Sequence, residues 1–247
     1  MNIAIVGAGA MGKVLEDAAV RRQGTRCVGV IEPLQGLRLR DIRERVDVVV
    51  DFSHPVNLNR IEEFVREAAC GLVMATTGFS QKQEQQIREL AQLVPVVQAA
   101  NFSLGIAVMK RALEQITPVL QDSFDMEIIE KHHRNKVDAP SGTANFLAQI
   151  LNPDGAYRLT AGRQGEKKRG KEIGIHAVRG GSIAGEHTVI FAGEDEMLEI
   201  KHTALSKKVF ALGALKAAEF LYEKLEVSRA GGEKAAGLYS IEEVLFS

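Results

Sequence analysis

The sequence predicts an α/β protein, a Rossmann-like doubly wound parallel sheet joined to a central α+β segment with an open mixed sheet. Three observations predict it. Short apolar runs alternate with amphipathic stretches through the first hundred residues, a glycine-rich turn follows the first run, and the rhythm changes after Asn101. Regular alternation of strand and helix builds βαβ units and a parallel sheet.

The predicted elements follow in order. Ile3–Val6, Arg26–Ile31, Asp47–Phe52, Gly71–Ala75 and Pro95–Ala100 are short and apolar, as strands covered on both faces must be. Met11–Gln23, Asn57–Ala69 and Ser80–Leu93 carry helical periodicity between them. A helix over about Ser103–Leu120 then precedes a strand, Phe124–Glu130, and a polar loop ending in Pro140-Ser141-Gly142. Glu172–Val178, Glu186–Phe191 and Met197–Ala204 alternate apolar and polar residues, the pattern of half-exposed strands. A long Ala/Leu-rich helix is expected over about Lys207–Leu225. Gly162–Lys171, dense in Gly and Lys/Arg, and Val227–Gly237, with Gly231-Gly232, are expected to be mobile connections.

Bulk properties exclude several classes. The 247 residues suffice for one large or two modest domains. A net charge of −1 offers no global field for nucleic acid or anionic membrane, so an anionic ligand needs a local cluster. Only 5% of residues are aromatic and no nucleic-acid motif occurs. Apolar stretches fall short of the roughly 18 residues that cross a bilayer. The chain opens directly into Asn2-Ile3-Ala4-Ile5-Val6-Gly7, without a basic region ahead of an apolar core, so a cytoplasmic location is expected. Cys27 and Cys70 are too few for a disulfide framework or a four-ligand metal site, and both are read as reduced, buried thiols.

Gly7-Ala8-Gly9-Ala10-Met11-Gly12 is G-x-G-x-x-G between a predicted strand and a predicted helix. Gly7 permits the tight turn, Gly9 lets backbone approach a pyrophosphate, and Gly12 lets helix and strand pack closely, with the helix N-terminus facing the negative charge. Such turns also occur for purely structural reasons. Glu32, 20 residues past Gly12 at the end of the second strand, sits where an acid holds ribose hydroxyls. A nicotinamide dinucleotide is the expected cofactor, NADH or NADPH. Ala75-Thr76-Thr77 and Ala99-Ala100-Asn101-Phe102 lie at carboxyl ends of strands, where small residues and hydroxyls suit the ribose and nicotinamide.

Chemistry is densest from Glu130 to Thr143. Two histidines, an arginine and two lysines fall within residues 131–136, followed by Pro140-Ser141-Gly142-Thr143 at a helix start. Ser141, Gly142 and Thr143 offer hydroxyls and backbone N–H groups to a carboxylate. A histidine can donate a proton near neutral pH, and a lysine can hold an anion or supply a second proton. No metal is expected, because adjacent histidines seldom converge on one ion and no HxxxH, CxxC or HExxH pattern occurs. A serine-hydrolase elbow is also absent.

Glu130-Lys131-His132-His133 with Lys136-Val137-Asp138-Ala139-Pro140-Ser141-Gly142-Thr143-Ala144 resembles the hallmark of the 4-hydroxy-tetrahydrodipicolinate reductase (dihydrodipicolinate reductase) family. The resemblance runs along essentially the whole chain. It takes in Val49–Ser53, Ala75–Gly78, Ala100–Ser103, Val178–Gly181, Gly185–Thr188 and Gly237–Tyr239. It implies a dinucleotide-binding domain made of residues 1–102 and 206–247, and a substrate-binding, tetramer-forming domain over 103–205. It also implies His132 as proton donor and acceptor, Lys136 as the second donor, and His133, Gly142 and Thr143 as ligands of a small cyclic dicarboxylate. The reaction implied reduces that ring with a nicotinamide hydride after the 4-hydroxyl leaves as water, in lysine biosynthesis through diaminopimelate.

Departures touch the cofactor end. The glycine loop is the shorter form, Ala75 stands where many members have Gly, and Pro33 follows the ribose acid where some have Arg. An amino-acid dehydrogenase on the same nucleotide fold would explain the glycine loop but not the run from Lys136 to Thr143. A non-catalytic NAD-binding regulator would have no use for His132 and Lys136 together. NADH is expected to serve at least as well as NADPH, because Glu32 would meet a 2′-phosphate with like charge.

Overall fold

The computed structural model describes residues 1–32 and 36–246. Pro33 lies outside the described residues. The chain divides into two compact units, one of Met1–Leu104 with Lys207–Ser247 and one of Gly105–Ser206.

In the first unit, β1 (Asn2–Val6), β2 (Arg26–Ile31), β3 (Val48–Asp51), β4 (Gly71–Met74), β5 (Pro95–Gln98) and β11 (Gly237–Tyr239) form one sheet in the order β11-β5-β4-β3-β1-β2. Every pairing is parallel. The central strands read Val, Ile, Leu and Met because both faces are covered. On one face, Ala4, Val49, Leu72 and Val96 pack with Ile61 and Val65 of α2 (Leu58–Ala68) and Ile87 and Leu90 of α3 (Gln81–Leu90). The other face takes α1 (Ala10–Val20) and α6 (Lys208–Arg229), which Arg22 and Glu219 tie together by an ion pair. The order reverses at β1, where β2 lies on one side and β3 on the other. Such a switch point opens a crevice beyond the strand ends, and the glycine loop stands there.

The second unit holds β6 (Asp125–His132), β7 (Arg158–Ala161), β8 (Glu172–Arg179), β9 (Gly185–Ala192) and β10 (Met197–Ala204) in the order β10-β9-β6-β8-β7. It is mixed: β6 runs parallel to β8 and antiparallel to β9. Met126, Ile128, Ile173, Val189 and Phe191 pack from one face onto α4 (Leu104–Leu120) and α5 (Gly142–Leu151). Four apolar side chains of this sheet remain largely exposed: Leu159, Val178, Met197 and Leu198.

Three elements had no clear periodic signal. β7 is a four-residue edge strand of mixed character, β11 has three residues, and α7 (Ile241–Phe246) is six residues long, with Ser240 capping it against Glu243. The last long helix also runs on to Arg229, past the expected Leu225. Arg229 pairs with Glu226 at 2.7 Å, and Gly231, at φ 84°, ends the helix. Gly162–Lys171 has no regular structure, yet Arg163 and Arg169 anchor it to Glu172 and Asp125.

Candidate active site

The first unit presents a cradle for a dinucleotide. Gly7 is at φ 102°, and a Cβ there would meet the Phe52 carbonyl oxygen at 2.5 Å. A Cβ on Gly12 would collide with the Gly7 carbonyl, so strand and helix approach this closely only with glycine at both places. Gly9 has open space where a side chain would be, leaving its backbone accessible to a phosphate. Glu32 accepts a hydrogen bond from the Ala8 amide at 3.2 Å, which holds its carboxylate against the loop.

Two cavities lie at the carboxyl ends of these strands. One, of about 700 Å³, brings Met11 together with Phe52, Ala75, Thr76 and Thr77. The other, of about 390 Å³, is bounded by Val6, Ile31, Arg38, Arg40 and Arg60. Thr76 is nearly buried, and its hydroxyl accepts from the Ser53 amide at 2.9 Å, while Thr77 is exposed. Ala99, Ala100 and Asn101 lie past the end of β5, and none of them lines either cavity among the described residues. Phe102 differs from its loop neighbours in burial. Its side chain is buried, with its ring 6.4 Å from that of Phe52, so only its backbone is left to meet a ligand.

The second unit gathers the basic loop. Glu130 and His132 alternate on β6 and so share a face. His132 Nδ1 stands 2.6 Å from Glu130 Oε2. Arg179, opposite His132 on β8, donates to both Glu130 oxygens at 2.7 Å. The Ser141 amide donates to Glu130 Oε1 at 3.0 Å. Burial opposes ionisation of Glu130, but Arg179, His132 and Ser141 outweigh it and hold the carboxyl below its usual range.

Ser141 corrects a sequence expectation. It was expected to meet the dicarboxylate, but it is buried and its hydroxyl is committed inside the protein. That oxygen caps α5 by accepting from the Ala144 amide at 3.1 Å, and it lies 3.0 Å from His187 Nε2. Burial first, then the neighbouring His132, lowers the His187 pKa to about 4. His187 is therefore neutral near pH 7 and shares one hydrogen bond with the Ser141 hydroxyl.

Gly142 and Thr143 start α5 above this buried layer. Gly142 is exposed, with open space around its Cα, and Thr143 is half-exposed. Lys136 donates to Asp138 Oδ1 at 2.8 Å, and its amide bonds to the His133 carbonyl at 3.1 Å. Lys136 first, then the Gly142 amide among lesser contributions, hold Asp138 below the usual carboxylate range. No local pattern singles out Arg179 or His187; both fall within segments of the family resemblance, Val178–Gly181 and Gly185–Thr188. No cluster of three or more metal-ligating side chains, and no helix long and apolar enough to span a membrane, occurs among the described residues.

A glycine cradle at the switch point of a parallel sheet, with a braced histidine on a second sheet, marks a pyridine-nucleotide-dependent oxidoreductase. Residues 1–102 match the family model "Dihydrodipicolinate reductase, N-terminus", and residues 105–245 match "Dihydrodipicolinate reductase, C-terminus". A 4-hydroxy-tetrahydrodipicolinate reductase of Exiguobacterium sp. is 43% identical over 98% of this chain and 94% of its own. One from Clostridium novyi is 42% identical over 97% and 95%. Among solved structures, a dipicolinate-bound dihydrodipicolinate reductase from Paenisporosarcina sp. superposes with a TM-score of 0.78 at 23% identity, covering 99% of both chains, and so shares the fold. The chain belongs to the dihydrodipicolinate reductase family.

Proposed function

We propose that this protein reduces 4-hydroxy-tetrahydrodipicolinate to tetrahydrodipicolinate, with loss of water, in lysine biosynthesis through diaminopimelate. The observation that carries the reading is His132, held by a buried carboxylate at the end of β6, beside a capped helix start with an open Gly142. Family membership supplies the substrate.

Gly7, Gly9 and Gly12 would hold the pyrophosphate of NADH or NADPH, and Glu32 the adenosine ribose. Ala8, Ala10, Met11, Ala75–Thr77 and the backbone from Ala99 to Phe102 would bound the rest. The bound reduced nicotinamide supplies a hydride. Lys136, His133, Gly142 and Thr143 would hold the two ring carboxylates by charge and by N–H and O–H donors. The 4-hydroxyl leaves with a ring proton as water, and the resulting double bond takes up one hydride and one proton. His132 handles the proton at Nε2, with Lys136 as second donor.

We also propose a homotetramer assembled through residues 103–205, supported by the exposed Val178 and Met197, which lie on the face of the second sheet opposite Ile173, Ile175 and Phe191. The activity is assigned to the cytoplasm, where reduced nicotinamide nucleotides are regenerated. A coupled assay tests the function: nicotinamide oxidation should require the upstream condensation product. NADH oxidation with simple keto acids and ammonia, or NAD+ reduction with amino acids, would instead favour an amino-acid dehydrogenase. Light scattering over a dilution series tests the assembly, and monomer throughout would refute it.

A further inference from the structure

Glu130 is closed off from solvent and still surrounded by donors. Arg179 reaches both oxygens at 2.7 Å, the Ser141 amide meets Oε1 at 3.0 Å, and His132 Nδ1 lies 2.6 Å from Oε2. An ionised carboxylate is acceptor-only, with about four lone-pair sites. All are engaged, so His132 can join only by turning an Nδ1–H toward Oε2. The neutral imidazole is thereby fixed as the Nδ1–H tautomer, and Nε2 is left as the atom that gains or loses a proton.

The surroundings keep Nε2 accessible and the ring still. A Cβ at Gly185 would lie 3.2 Å from Nε2, so the glycine leaves room in front of that atom. The His187 ring meets the His132 ring edge-on at 5.1 Å and 71°. The Gly180 amide donates to the His132 carbonyl at 2.9 Å. Arg179 also donates to the Asp138 carbonyl at 2.6 Å, so the guanidinium that neutralises Glu130 holds the loop carrying Lys136 as well.

We propose that Glu130 is a positioning residue that sets the tautomer and orientation of His132 and, through the Ser141 amide, ties that histidine to the carboxylate-binding turn of α5. The proposal rests on reading His132 as the proton-transfer group. A third group that orients a catalytic imidazole is a general arrangement in enzymes, and loss of the correct tautomer there costs about 10⁴-fold in kcat.

Glu130→Gln keeps the shape but not the acceptor pair. Its amide nitrogen must replace one oxygen, and either choice sets N–H against N–H at Arg179. At Oε1 it would also face the Ser141 amide, so it takes the Oε2 place, where His132 must accept at Nδ1 and carry its proton on Nε2. The test is ¹⁵N NMR of histidine-labelled protein near neutral pH, with His132→Gln used to assign the His132 signals. Wild type should show Nδ1 protonated. Glu130→Gln should lose that signature, and kcat should fall about 100-fold to 10,000-fold with the KM for NADH unchanged. Glu130→Asp, which retains an acceptor, should keep the tautomer and recover part of kcat.

A wild-type neutral His132 with its proton on Nε2 and none on Nδ1 overturns the proposal without any variant, so poor folding of Glu130→Gln cannot shelter it. Unchanged kcat and tautomer in Glu130→Gln, while His132→Gln is inactive, also overturns it. Near-normal turnover in His132→Gln would instead remove the reading of His132 on which the proposal stands.

Discussion

The Lys136 ammonium donates to the Asp138 carboxylate at 2.8 Å, and the same carboxylate draws on the Gly142 amide. The two donors expected to hold a substrate carboxylate are thus engaged by one of the protein's own. A dicarboxylate therefore competes with Asp138 for these donors. Asp138 is exposed, so the contact is worth roughly 0.2–1 kcal/mol. Asp138→Asn should therefore tighten inhibition by a planar pyridine dicarboxylate by up to about fivefold. Unchanged or weaker inhibition would mean that Asp138 does not compete for those donors.

His132→Gln and Lys136→Ala should each lower kcat by about two to four orders of magnitude, the usual range for lost proton transfer or charge stabilisation. Cofactor affinity should hold, because both residues lie in the second unit and the glycine cradle in the first. Steady-state kinetics with NADH titrated at saturating substrate separates the two effects. Near-normal turnover in either variant removes that residue from the mechanism.

His187 should make the protein acid-sensitive. Its folded pKa, about 4, lies below the ordinary 6.5, so the unfolded chain binds the proton first as pH falls. Stability is then lost progressively from about pH 6.5 down to about pH 4, by roughly 3 kcal/mol in total. His187→Gln can still hydrogen-bond the Ser141 hydroxyl and has no charge to gain. Urea midpoints measured at several pH values should fall across that window in wild type and stay flatter in the variant. Parallel curves would show that another group sets the acid limit.

Cofactor preference turns on Glu32. A 2′-phosphate at about 4 Å from that carboxylate would cost roughly 1–4 kcal/mol, or about 5-fold to several-hundred-fold in kcat/KM. The nearby cations give only partial relief, because Arg40 is paired with Glu63 at 2.7 Å and Glu67 at 2.9 Å. Arg38 and Arg60 line the same cavity. NADH should serve at least as well as NADPH, and Glu32→Ala should shift the ratio toward NADPH. An unchanged ratio would show that Glu32 does not discriminate.

The sheets were legible because their signals are local. Val48-Val49-Val50 between turn residues reads as a doubly covered strand, and Gly7, Gly9 and Gly12 read as a turn whose close approaches exclude side chains. Glu130 and His132 share a face because β6 runs on to His132, two residues past the expected end at Glu130. Their partners were not legible. Arg179 faces His132 and His187 faces Glu130 through pairings β6·β8 and β6·β9, and no local pattern encodes a register between strands this far apart. The same holds for Ser141, which reads as a ligand from its motif until His187, 46 residues away, is found holding its hydroxyl. Phe102 likewise reads as loop until its ring is seen against Phe52.

Isotope transfer tests the central claim most directly. The protein is incubated with the upstream condensation product and NADH carrying deuterium at one of the two C4 positions of the nicotinamide, with each face labelled in turn. Mass spectrometry then follows the ring dicarboxylate. The predicted product, relative to substrate, has gained one deuterium from one of the two labelled forms, gained one solvent-derived proton, and lost one water. Nicotinamide oxidation without deuterium in the ring, or no oxidation in the presence of that substrate, would contradict the assignment of this chain as its reductase.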